Sequence, residues 1–89
     1  MSDSALSGSD TSPADLLETL ARGLVSKPDD VIVEEVDDDD ALVLELSVAE
    51  GDYGSVIGRG GRTANALRML VKAAGTRQQQ RVFVDIVDS

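Results

Sequence analysis

Residue types and spacing that could do chemistry concentrate in one stretch of the 89-residue chain, Val56-Ile57-Gly58-Arg59-Gly60-Gly61-Arg62. A glycine at each end of a four-residue link, Gly58 and Gly61, lets two helices turn sharply and lets another backbone approach closely. A helix starting near Arg62 points unpaired N–H groups and the positive end of its dipole into that link. Anions bind at such ends, phosphate most commonly. Arg59 and Arg62 add guanidinium charge at the same place, and Ile57, just ahead of the link, can floor a groove where a base would sit. The expectation is a binding site for a phosphate-bearing strand rather than a catalytic centre.

The competing phosphate loops fail on position as well as on letters. Walker A requires GxxxxGK[ST]; the spacing from Gly54 to Gly58 is wrong and no Lys-Ser or Lys-Thr follows. The dinucleotide fingerprint follows a strand directly and needs an acid about 20 residues on. Here the glycines join helix to helix, and the chain from Arg62 to Arg81 is free of acids. A corner whose glycines serve only the bend is the plainer alternative, and it leaves the charge beside it unexplained.

That charge is sorted along the chain. Residues 59–81 carry Arg59, Arg62, Arg68, Lys72, Arg77 and Arg81 with no Asp or Glu, a local charge of +6. All 17 acids lie elsewhere, with only Arg22 and Lys27 beside them, so the rest is −15 and the whole −9. One positive face on an acidic molecule is implied, and because charges are screened beyond about 8 Å a ligand feels that face rather than the total. There is no His and no Cys. Disulfides, thiolate metal sites, the Ser–His–Asp triad, HExxH and zinc-deaminase schemes are therefore excluded. Acid pairs such as Glu34 and Glu45 read as exposed hairpin faces, so no enzyme and no cofactor is expected. No apolar run approaches the roughly 20 residues of a membrane span. The start, Met1-Ser2-Asp3-Ser4, lacks the basic stretch and apolar core of a signal peptide, so a cytoplasmic location is expected.

The elements that must position the link follow from patterning. Residues 1–12, polar apart from Met1, Ala5 and Leu6, read as a disordered tail, and 13–89 as one domain. Ser12 can cap a helix with Pro13 at its first position and Asp15 at its positive end. Leu16, Leu17, Leu20, Ala21, Leu24 and Val25 form its apolar face, and Lys27-Pro28 stops it. Residues 31–36 and 41–48 read as a β-hairpin, with Leu42, Leu44, Leu46 and Val48 on one side of the second strand. Asp37-Asp38-Asp39-Asp40 is the connection between them. It lacks the alternating ligands, glycine and terminal Glu of a Ca²⁺ loop, so a solvated turn is expected. A short helix or turn spans 49–57. A long helix spans 62–74, with Ala64, Leu67, Leu70 or Val71, and Ala74 as its stripe and Gly75 as its stop. After a polar loop at 76–80, residues 81–87 form a last strand. The order α-β-β-α-α-β predicts an α+β domain with helices on one face of a three-stranded mixed sheet, the last strand running parallel to its neighbour.

Gly-x-x-Gly between two helices, flanked by basic residues, is the clamp of KH domains, which hold about four nucleotides of a single strand. The stretch VAEGDYGSVIGRGGRTANALR (48–68), followed by VKAAG (71–75), resembles the small bacterial KH proteins of the KhpA (YlqC) family. The resemblance extends from about residue 13 to the C-terminus and includes the α-β-β opening of the type II KH arrangement. It implies a single type II KH domain that binds single-stranded RNA in the cytoplasm and forms a homodimer. It also implies pairing with a larger KH-containing protein of the KhpB (Jag, EloR) kind, and a role as an RNA chaperone or post-transcriptional regulator linked to cell elongation or division. On this chain Gly58, Arg59, Gly60 and Gly61 would meet the sugar–phosphate backbone, with Arg62 and Arg68 in support. Ile57 with Val82, Phe83 and Val84 would line the base groove, and the loop at 76–80 would border it. Members often carry Lys at the position of Arg59, which keeps the charge, and a basic residue at that of Asn65, which does not. Tyr53 and Phe83 are the only aromatics, too few for the stacking platforms of RRM or OB modules. The alternative is a protein-interaction subunit whose KH surface is occupied by a partner chain.

Overall fold

The computed structural model describes residues 11–87, so most of the tail expected over 1–12 lies outside the described residues. Helix α1 (Pro13–Leu24) begins as its sequence dictates: Ser12 Oγ accepts from the Asp15 amide at 3.0 Å, and Ser12 O accepts from the Leu16 amide. Pro13 occupies the first turn, where a missing N–H is no loss. Leu17 and Ala21, four apart, are fully buried and define the packed face.

Strands β1 (Ile32–Asp38) and β2 (Ala41–Ser47) form the hairpin. Its turn is shorter than the run of four aspartates suggests. Asp37 and Asp38 still pair in β1, opposite Leu42 and Ala41, and only Asp39 and Asp40 make the bend. Asp39 sits at φ 56°, a left-handed conformation that a short polar side chain tolerates. Strand β3 (Arg81–Ile86) runs parallel to β2, giving the sheet order β1-β2-β3 with Leu42 beside Val82 and Leu46 beside Ile86. β2 is central, and its alternating leucines 42, 44 and 46 are buried against the helices.

A single turn at Glu50–Asp52 leads into α2 (Tyr53–Ile57), and after the glycine link α3 spans Arg62–Arg77. Ala64, Leu67 and Val71 face the core, while Leu70 is 52% exposed, so the stripe takes Val71. Gly75 does not end this helix. It is buried inside the last turn, where an added Cβ would lie 2.5 Å from Val82 Cγ2 and 2.9 Å from Gln80 O. Its lack of a side chain lets α3 close on β3, and the chain leaves the helix only at Gln78, with Gln79 at φ 58°. The architecture is the α+β arrangement expected, three helices on a three-stranded mixed sheet.

Candidate nucleic-acid interface

The link between α2 and α3 is built from three left-handed glycines. Gly58 has φ 76° and ψ 170°, Gly60 φ 64° and Gly61 φ 78°. At Gly58 a side chain is barred twice, because its Cβ would collide with Thr63 Oγ1 and sit 2.9 Å from the Thr63 amide nitrogen. Gly60 and Gly61 have open space around them, so there only the backbone angle demands glycine. Arg59 and Gly60 project into solvent at the tip.

Fewer amides are open at this hinge than the sequence suggests. The Gly58 amide donates to Gly54 O at 2.8 Å, that of Gly61 to Gly58 O at 3.2 Å, and that of Arg62 to Arg59 O. The tight turn consumes these three donors internally. α3 starts with no side-chain cap and no acid in its first turn, which leaves its positive end uncompensated.

Asp52, to which sequence reasoning assigned no role, anchors the start of α2. The residue is only 4% exposed, and Oδ1 accepts from the Ser26 amide at 2.9 Å and the Ser26 hydroxyl at 2.7 Å. Oδ2 accepts from the Lys27 amide at 3.0 Å. The hydrogen bonds from Ser26 hold its carboxyl below the usual carboxylate range, with those from Lys27 and its charge assisting against the opposing effect of burial. This bridge ties the segment after α1 to the helix that ends at the hinge. Tyr53 packs beside the core, its hydroxyl 3.5 Å from Ile86 O.

Between α3 and β3 lies a groove of about 540 Å³, lined by Asn65, Arg68, Met69 and Lys72 from the helix and Val82, Phe83 and Val84 from the strand. Positions 65, 68, 69 and 72 are the i, i+3, i+4, i+7 set of one helical face. Arg68 Nη1 donates to Asn65 Oδ1 at 3.3 Å, so Asn65 orients the guanidinium beside it. Val82 is 3% exposed and serves mainly the core, whereas Phe83 is 44% exposed. β3 is an edge strand. Because the Val87 amide donates to Leu46 O, strand alternation turns the backbone groups of Phe83 and Asp85 toward β2 and those of Val82 and Val84 toward the open edge.

The structure thus gathers Arg68, Val82, Phe83 and Val84 into one groove, with the hinge residues Gly58, Arg59, Gly60, Gly61 and Arg62 at the N-terminal end of the same helix. Ile57 is half-buried against the core and does not line the groove. Asn65, Met69 and Lys72 complete the wall, and the signal that could have found them is the exposed helical periodicity of α3. Among the described residues Glu18–Arg22 is the one ion pair, so no cation of the 59–81 segment is neutralised by a neighbour. The arrangement can hold an extended anionic chain along α3 while presenting apolar and backbone groups to whatever that chain carries.

Residues 14–86 match the family described as KhpA/KhpB, KH domain. The RNA-binding protein KhpA of Halalkalibacterium halodurans is 55% identical over 73 residues, which cover 82% of this chain and 96% of that one. The protein of the same name from Clostridium acetobutylicum is 49% identical over 72 residues, 81% and 96% of the two chains. That from Mycobacterium tuberculosis is 47% identical over 75 residues, 84% and 90%. Among solved structures, an Era variant of Aquifex aeolicus bound to GDP.AlF4- superposes with a TM-score of 0.60 over 83% of this chain and 29% of that one. At 17% identity that likeness is one of fold alone.

Proposed function

The chain belongs to the KhpA/KhpB KH-domain family, and from that membership together with the groove we propose that it binds single-stranded RNA without catalysing a reaction. The hinge Gly58-Arg59-Gly60-Gly61 meets the sugar–phosphate backbone, where the exposed tip at Arg59 and Gly60 and the guanidinium groups of Arg59 and Arg62 supply donors and charge. Arg68 stands beside the bases, which lie against Val82, Phe83 and Val84, with Ile57 supporting the hinge from below. Backbone groups of Val82 and Val84 on the strand's open edge offer hydrogen bonds to base edges. One observation carries this reading: the groove and hinge hold Arg59, Arg62, Arg68 and Lys72 with no acid among the lining residues and, among the described residues, no ion pair on any of them.

The wider role rests on the family resemblance. The chain acts in the cytoplasm as an RNA chaperone or post-transcriptional regulator, as a homodimer and with a larger KhpB-type partner, in a process linked to cell elongation or division. The second reading, a protein-interaction subunit, is favoured by Met69 and Leu70, 71% and 52% exposed on α3.

The test is the double substitution Arg59→Asp with Gly60→Asp. Asp tolerates the left-handed angle at 60 better than most residues. With an unchanged far-ultraviolet circular dichroism spectrum, RNA binding is expected to be lost. An intact fold with unaltered RNA affinity overturns the clamp, and loss of partner association with unchanged RNA binding selects the second reading.

A further inference from the structure

The groove does not stop at Lys72. A second cavity of about 220 Å³ continues from it toward the far end of α3, lined by Lys72, Thr76, Gln80, Arg81, Val82 and Phe83. Lys72, Val82 and Phe83 belong to both cavities, so the two form one path with Phe83 at the junction. Neither cavity has an acid in its lining. The Arg81 guanidinium carbon lies 5.7 Å from the centroid of that ring, within the distance of a cation–π contact. Phe83 projects from the sheet face opposite the buried leucines, beside Val43, and remains largely open. A half-exposed aromatic ring, steadied by a cation and flanked by Lys72, is a platform for a flat ligand that is part of an anion.

We infer that Lys72, Arg81 and Phe83 form an added nucleotide subsite, which carries a bound RNA strand past the main groove and around the edge of β3. The inference rests on the RNA reading above and extends it. A base stacks on Phe83 while Lys72 and Arg81 meet the phosphates on either side of it. At 1.5 Å per residue the main groove follows α3 for about 10 Å, from Asn65 to Lys72, and the second cavity adds about 6 Å to Thr76. With about four nucleotides in the main groove, the extension accommodates about one or two more.

The experiment measures, by fluorescence anisotropy at fixed salt, the affinities of the full chain for fluorescein-labelled uridine tetramer and hexamer. Both are measured for the unsubstituted protein and for Phe83→Ala, Phe83→Trp and Arg81→Gln. The hexamer-to-tetramer ratio of Phe83→Ala reports the gain from length and alternative registers alone. The unsubstituted protein is expected to exceed that ratio about tenfold, the value of one stacked base. Phe83→Trp retains the gain, and Arg81→Gln loses part of it while flattening the salt slope for the hexamer by about 0.7. Tetramer affinity stays the same for Arg81→Gln, whereas the Phe83 variants are read by their hexamer-to-tetramer ratio, because Phe83 also lines the main groove. Equal ratios in Phe83→Ala and the unsubstituted protein overturn the subsite alone, whereas failure of either oligomer to bind the unsubstituted protein overturns the RNA reading and the subsite with it. A Phe83→Ala protein with a changed sedimentation coefficient and an unchanged ratio assigns the ring to a protein contact and likewise overturns the subsite.

Discussion

Replacing Gly58 with alanine strikes the hinge where it has least room. The backbone there, at φ 76° and ψ 170°, lies in a region that is essentially glycine's own, and holding a side chain in it costs about 1–3 kcal/mol. The new Cβ also meets Thr63 Oγ1, with Thr63 Cβ at 2.7 Å and its amide nitrogen at 2.9 Å, and overpacking of this kind costs about 1–3 kcal/mol. Gly60→Ala, two residues on, meets no atom within 4 Å and bears only the left-handed penalty of about 1–2 kcal/mol. For a domain of this size each kcal/mol lowers Tm by about 4–8 °C. Thermal unfolding followed by circular dichroism should therefore place Gly58→Ala well below Gly60→Ala, with the difference recovered only in part by adding Thr63→Ala, which leaves the Thr63 backbone and Cβ positions filled. Equal losses for the two glycine variants, or full recovery with Thr63→Ala, would refute the account of the hinge.

Further outcomes follow from other contacts. Gly75→Ala should destabilise the domain by about 1–3 kcal/mol in urea unfolding, because its Cβ would drive into Val82 and Gln80 O; a stabilised variant would mean that the glycine is an ordinary helical residue. Asp52→Asn should lower Tm at neutral pH, since the amide turns a donor toward the Ser26 or Lys27 donors. The folded-state pKa of Asp52 lies below 3.8, so its contribution is complete above that value and is lost as pH falls through the lower folded-state value. The gap between Asp52→Asn and the unsubstituted protein should then close below about pH 3.8 and not before. With about three to six phosphate contacts, log affinity for RNA should fall with log salt at a slope of about −2 to −4. Lys72→Gln should flatten that slope by about 0.7, and a slope near zero would separate binding from the basic groove.

Much of the fold was legible because local signals and the tertiary outcome agree. The alternating leucines 42, 44 and 46 read as a strand buried on one face, and that is their state in the central strand. Ser12, Pro13 and Asp15 read as a helix start because capping is decided within four residues. Gly75 was ambiguous: a glycine near a helix end serves equally as a stop or as a close approach, and only the position of Val82 decides between them. Asp52 was invisible because its partners, Ser26 and Lys27, lie 26 and 25 residues away. The glycine hinge and its arginines stood out from their spacing and charge. The groove wall at Asn65, Met69 and Lys72 did not, because an exposed helical face has the same periodicity wherever it points, and only the docking of β3 turns that face into one side of a cleft.

The central claim is that single-stranded RNA lies from the glycine hinge along the unneutralised face of α3. Amide chemical shifts of the isotopically labelled full chain, recorded while a uridine hexamer is added, test it most directly. The account predicts shifts confined to residues 57–62, 65–72 and 80–84, with the acidic hairpin around Asp39 silent. Shifts centred on the hairpin or on α1, with the hinge unmoved, would contradict it.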